Sequence, residues 1–338
     1  TSAQSVVDSL DKKIIFLTNN FEVEKADELI QQRISQNPDD LKLHLLAIEN
    51  KLAENVIKTC NIPLKQREKL KQKLNKKTIE YAEDILEKFE DIEQTTMNKF
   101  YLSVLYAYLG RMYGVERSWM SSFSNGKEAM DLAEEVIEEK PQLYDAYLVY
   151  GMFKYFADRL SGVAGFVASM LGFSGDRDQG LEYLQIAAEK GVMLENQAEL
   201  LLMEIYSRME SNEFSAFPYF REYVKKFPGN FNVRNWYCRE LLAVDKLPQV
   251  TEFIENESVT NLSPYVKGVF YHKIGNYKKS RQYLDKVVED SLVLWHGALH
   301  RTKFLAKLNH FFLKDDKADE IELNKRYSTI YKEYKANP

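Results

Sequence analysis

Apolar residues recur at helical spacing along almost the whole chain. Val6, Val7, Leu10, Ile14 and Ile15 form one stripe and predict a helix over 4–17. A second helix over 23–35 stops at Asn37-Pro38-Asp39-Asp40, where Pro ends one helix and Asp caps the next. The same periodicity predicts helices at 40–58, 64–90, 96–112, 126–139, 143–160, 177–190, 196–209 and 215–226. It continues through 232–244, 247–256, 264–273, 277–289, 293–313 and 317–335. The predicted fold class is all-α. Mostly short helices paired by tight turns cannot bury their apolar faces alone, so neighbouring pairs must stack.

Small residues then recur at a fixed step. Lys267-Gly268-x2-Tyr271 is followed by Gly275-x-Tyr277, Ser280-x3-Leu284 and Val287, and the step from Gly268 to Ser280 is 12 residues. Cys238 to Val250 repeats that step. Ala26-x3-Ile30 leads to Pro38, Ala129-x3-Ala133 to Pro141, and Ala216-x3-Phe220 to Pro228. Small residues are needed where two helices cross closely, and large ones fill the gap to the next pair. On these positions the chain resembles the tetratricopeptide-repeat (TPR) superfamily over roughly residues 4–310. The resemblance implies a right-handed superhelical solenoid of antiparallel helix pairs, with 1–338 as a single array. Within it, 1–95 are divergent N-terminal helices, 96–310 are repeat-like units with insertions at 111–125 and 157–175, and 311–338 is a capping helix.

One unit departs from the pattern. Tyr147-x2-Tyr150-Gly151 reads as a first helix, but its matching small residue is Gly180, 29 residues on, so extra chain is inserted between the helices. The segment 143–191, with Leu171-Gly172-Phe173-Ser174-Gly175-Asp176-Arg177 inside it, is similar to bacterial repeat proteins related to inclusion-clearance and tetratricopeptide-39-like proteins. That likeness implies interaction or lipid-linked function and brings no catalytic residues.

Composition sharpens the helical reading. Gly 14 and Pro 8 in 338 residues fall well short of the usual share of about 7% and about 5%, which disfavours sheets that need many turns. Net charge −5 gives no broad attraction to nucleic acid. Cys60 and Cys238 supply neither a disulfide framework nor a zinc site, and no apolar run reaches transmembrane length. Thr1-Ser2-Ala3 has the small-residue character of the end of a removed export signal, which would place the chain outside the cytoplasm; otherwise it is cytoplasmic.

Motifs for chemistry fail on inspection. Gly175-x4-Gly180 has P-loop glycine spacing, but Leu181-Glu182 stand where Lys and Ser/Thr must bind phosphate and Mg²⁺. The better reading is a capping box, Asp176 with Gln179. His296 and His300 are four apart with no third ligand, and no nucleophile elbow occurs. No cofactor or metal is implied. Lys65, Arg67, Lys69, Lys71, Lys73, Lys76 and Lys77 make a basic run that reads as a solvated face or a contact for an acidic partner.

Two regions remain for function. First helices line the inner surface of such arrays, and the small-residue register turns Met152, Tyr155, Glu204, Arg208, Asn235, Arg239 and His272 inward. This mixture suits an extended peptide or a helix. A Lys/Asn clamp for acidic tails is doubtful, because Tyr265 and Val269, or Leu148 and Met152, stand at comparable positions. The uncharged segment 160–175 carries Phe166, Met170, Leu171 and Phe173 among small residues, and reads as a packed extra helix or a contact for a hydrophobic ligand or membrane surface. Tyr113, Trp119 and Phe123 could complete an apolar pocket beside it. The expectation is a non-catalytic scaffold for a protein or peptide partner, with the hydrophobic or peripheral membrane contact as the alternative.

Overall fold

The computed structural model describes residues 6–60, 62–159, 175–256, 261–289 and 296–314, with isolated positions beyond. Every regular element among them is helical. The helices are α1 (Ser9–Asn19), α2 (Val23–Gln36), α3 (Leu41–Cys60), α4 (Leu64–Lys88), α5 (Thr96–Val115), α6 (Trp119–Glu139), α7 (Ala146–Arg159) and α8 (Arg177–Lys190). They continue as α9 (Glu195–Glu204), α10 (Glu213–Lys226), α11 (Phe231–Ala243), α12 (Leu247–Glu255), α13 (Pro264–Lys273), α14 (Tyr277–Glu289) and α15 (His296–Lys314). A π-helical turn, Ile205–Met209, extends α9. The chain forms two compact units: Thr1–Asn55 with Gln72–Gly229, and Val56–Lys71 with Asn230–Pro338.

Within the first unit α5 to α10 pack in succession, and α5 also touches α7. In the second, α11 to α15 do the same, with α11 on α13 and α13 on α15. The turns that produce this succession are alike. Phe21, Arg117, Asp245 and Gly275 each hold a positive φ (63°, 60°, 58° and 78°) just past a helix end. In each case the next N–H reaches back five residues: Glu22 to Leu17 O, Ser118 to Tyr113 O, Lys246 to Leu241 O and Asn276 to Tyr271 O, all at 2.8–2.9 Å. This Schellman-type closure satisfies carbonyls the helix leaves open. The opposite turns also repeat. Asn37, Lys140 and Phe227 share φ/ψ near −137/72, −144/75 and −126/71, and each caps its helix from the N–H. Pro38, Pro141 and Pro228 follow directly, where a helix cannot continue.

Helices cross where the small residues stand. Ser122 Oγ donates to Gly110 O at 2.8 Å and Ser280 Oγ to Gly268 O at 2.7 Å, both across 12 residues. A Cβ on Gly151 would come within 2.9 Å of Gly180 O, so that crossing requires glycine. Ala26, Ile30, Ala129, Ala133, Ala216, Phe220, Cys238, Val250, Leu284 and Val287 are all buried, as the spacing requires.

Three local expectations change. Leu10 lies outside the buried stripe of α1 and is exposed. Residues 111–125 do not loop out: they extend α5 and α6 to a connection of only 116–118. Gly110 and Ser122 give α5 and α6 their close approach: a Cβ on Gly110 would meet Ser122 O at 3.2 Å and Gly126 N at 3.3 Å. Asp176 does cap α8, accepting from Gln179 N at 3.0 Å, but its own N–H goes to Lys154 O at 3.0 Å. Gly175 abuts the Asp158 backbone, so the chain returns to α7 close to where it left.

Candidate interaction surface

The interior of the first unit is built on α3 and α5. From Leu41 to Asn50 every residue but Lys42 is buried, which marks a helix enclosed on all sides. α4 runs antiparallel to α3, with Phe89 at 5.5 Å from His44, Lys51 4.7 Å over Tyr81, and Asn55 Nδ2 donating to Thr78 Oγ1 at 3.1 Å. α1 lies on α3 through Thr18 Oγ1, which donates to Asn50 Oδ1 at 3.1 Å. Lys42 and Arg33 both pair with the fully buried Asp11.

Late helices close over this interior. Glu49 on α3 accepts from Tyr108 of α5 at 2.5 Å and from Gln197 of α9 at 2.7 Å. Burial pushes its carboxyl up to about 7, with Asp145 adding repulsion against the pull of the two hydrogen bonds. Burial likewise raises Tyr108. Tyr223 OH on α10 donates to Asn19 Oδ1 at 2.8 Å, across 204 positions. Gly229 N donates to Asn20 Oδ1 at 2.7 Å, and the Phe16 and Phe227 rings lie 5.7 Å apart. α1 is thereby joined to α10 and α3 to α9 within the first unit.

The expected groove residues fall into both units. In the first, Tyr155 is 0% exposed and its hydroxyl donates to Glu210 at 2.6 Å. Burial and that bond raise it to about 12. Met152 is half-buried against the core. Glu204 is half-buried and pairs with Arg208 at 3.1 Å; the Arg208 side chain is 51% exposed. In the second, Asn235 is buried as a turn brace: it donates to Phe231 O and Asn261 O and accepts from Ser263 N at 2.7 Å. Arg239 is half-buried beside it on α11. His272 Nδ1 meets Asn309 Oδ1 at 2.6 Å, and Asn309 donates to Ser280 Oγ, tying α13, α14 and α15 together. Tyr155 and Asn235 are thus committed to the interior.

Phe166, Met170, Leu171 and Phe173 lie outside the described residues. The flanks of their segment are fixed. Arg159 and Arg177 both pair with Glu210, whose carboxyl the Arg177 hydrogen bond holds down at about 2. The side chains of His296 and His300 are likewise outside the description.

Several polar groups escaped the sequence reading. Asp145 Oδ1 accepts three backbone N–H groups, from Val192, Met193 and Leu194, at 2.7–2.9 Å, pinning the α8–α9 turn to the start of α7. Arg67, expected on a solvated basic face, is buried and donates to Cys60 O and Ile62 O at the end of α3. The rest of the run, including Lys73, Lys76 and Lys77, is exposed. Val115, Trp119 and Met120 form an exposed apolar tip on the α5–α6 hairpin. Among the described residues no cluster of His, Cys, Asp or Glu could hold a metal, and no helix is long and apolar enough to cross a membrane. Compared with protein-family models and with curated proteins, the chain matches none.

Proposed function

We propose that the chain is a TPR-like helical-repeat protein, a superhelical array of antiparallel helix pairs that acts as a non-catalytic scaffold for a protein or peptide partner. The observation that carries the reading is the recurrence of one hairpin. The same five-residue turn closure stands at Phe21, Arg117, Asp245 and Gly275, and the same 12-residue Ser-to-Gly crossing bond occurs in both compact units. Recurrence of this kind builds a surface from stacked units. Two buried carboxylates fit a structural role: Glu49 accepts from Tyr108 and Gln197, and Asp145 Oδ1 accepts from backbone amides.

In this reading the partner contacts the positions of the first unit that solvent still reaches, Met152, Glu204 and Arg208, with Arg208 as the polar anchor. The test is affinity capture on the immobilised chain, read by quantitative mass spectrometry, with Met152→Glu and Arg208→Glu compared against the natural sequence. Arg208 lies at the surface, so its variant should leave circular dichroism melting unchanged; Met152 is half-buried against the core, so loss of binding in its variant counts only where melting is unchanged. The expected result is a set of proteins retained by the natural chain and lost about tenfold from the variants. Retention that ignores both substitutions, or no retained protein above bare beads, would overturn the assignment.

A further inference from the structure

We propose that the tip of the α5–α6 hairpin docks on an anionic lipid surface. Three large apolar side chains project there: Val115, Trp119 and Met120 are 68%, 55% and 67% exposed. They stand on either side of a connection of three residues, 116–118, so the feature is convex rather than a groove. Isolated exposed apolar residues are ordinary, but three at one turn, one of them Trp, are not scattered.

The charge around the tip is mainly basic, with Glu116 in the turn and Glu83 of α4, which accepts from Tyr113 OH, as the acids nearest it. Between Thr96 and Gly126 the single acidic residue is Glu116, while Arg111 and Arg117 flank the turn and are exposed. α4 brings further cations to the same end. Asn75 Nδ2 donates to Met112 O at 3.2 Å and to Glu116 Oε1 at 2.7 Å, which places that stretch of α4 beside the end of α5. Lys73, Lys76 and Lys77 lie within one turn of Asn75, all exposed, and no acidic residue occurs from Lys69 to Ile79. Among the described residues none forms an ion pair with these five cations. The chain as a whole carries net charge −5, so this basic rim is local.

An apolar tip containing Trp and ringed by long cationic side chains matches the chemistry of an anionic bilayer interface. Trp favours the headgroup level, the Lys and Arg stems extend along the acyl boundary, and the charges meet acidic headgroups. A protein partner of acidic character would answer the cations but leave a convex apolar knob unexplained.

The test is flotation of the full chain with large unilamellar vesicles. One set is phosphatidylcholine alone, the other phosphatidylcholine with about 30 mol% phosphatidylserine. The chain should float with the second set only and be released by raised salt. The double variants Trp119→Ser/Met120→Ser and Lys76→Glu/Lys77→Glu should each lower the bound fraction about tenfold. All four positions are exposed, and unchanged thermal melting confirms an intact fold. No binding to the anionic vesicles, or binding that neither variant weakens, would overturn the proposal. So would polyglutamate bound equally by the natural chain and Trp119→Ser/Met120→Ser while vesicles are not, which would assign the basic rim to an acidic protein.

Discussion

Replacing Glu49 by Gln removes an acid from the point where α3, α5 and α9 meet. Folding raises this carboxyl from 4.5 to about 7, chiefly because burial penalises its charged form. The folded chain therefore holds the proton more tightly than the unfolded one. The resulting stability is whole below pH 4.5 and drains away as pH climbs through about 7. At about 1.4 kcal/mol per pH unit the full loss is about 3 kcal/mol. Some 2–3 kcal/mol of it, roughly, falls between about pH 5 and pH 8. The groups that face Glu49 are Tyr108, Gln197 and, through the field, Asp145. Glu199, also on α9 and raised to about 7 by burial, adds a loss of the same sign. Urea unfolding at the two pH values reads the effect. In Glu49→Gln the pH dependence should shrink by roughly 2–3 kcal/mol, leaving the share of Glu199 and other groups. The variant has a means to fold well: Gln197 Oε1 is buried without a partner and can accept from the new amide once its own amide turns over. Parallel pH profiles for the natural chain and the variant would refute the reasoning.

Other substitutions probe the turns and crossings. Asp145→Ala strips one acceptor from three backbone N–H groups in a buried turn and should cost about 2–4 kcal/mol in urea unfolding. Gly151→Ala drives a Cβ against Gly180 O and Leu184 N, backbone that cannot step aside, and should cost about 1–3 kcal/mol. Ser211→Gly relieves a non-glycine residue at φ 49° on the surface and should gain up to about 1 kcal/mol, seen as a higher melting temperature.

Local order in this chain is written in local chemistry. Ala26, Ala129, Ala216 and Ser280, with Ile30, Ala133, Phe220 and Leu284 four positions on, mark buried crossing faces because close helix approach admits only small side chains. Pro38, Pro141 and Pro228 mark helix ends because Pro cannot continue one. The recurring turns left less trace. Phe21, Arg117 and Asp245 hold the left-handed position that glycine usually fills; Asp visits it more readily than most residues, but nothing about Phe or Arg announces it. The repeat pattern predicts residues 111–125 as an insertion between two helices, but packing of α5 on α6 carries both helices through the weak helix formers Gly114, Ser121, Ser122 and Ser124. The closure of the first unit was beyond local reading. Asn19, Asn20, Tyr223 and Gly229 are ordinary residues until the fold brings them together.

A double-mutant cycle on the seam between α1 and α10 tests that closure most directly. Asn19→Ala, Tyr223→Phe and the pair together are compared by urea unfolding. With Tyr223 OH donating to Asn19 Oδ1 at 2.8 Å in a buried setting, the coupling should be about 1 kcal/mol. Strictly additive losses, with no coupling, would contradict the closed unit.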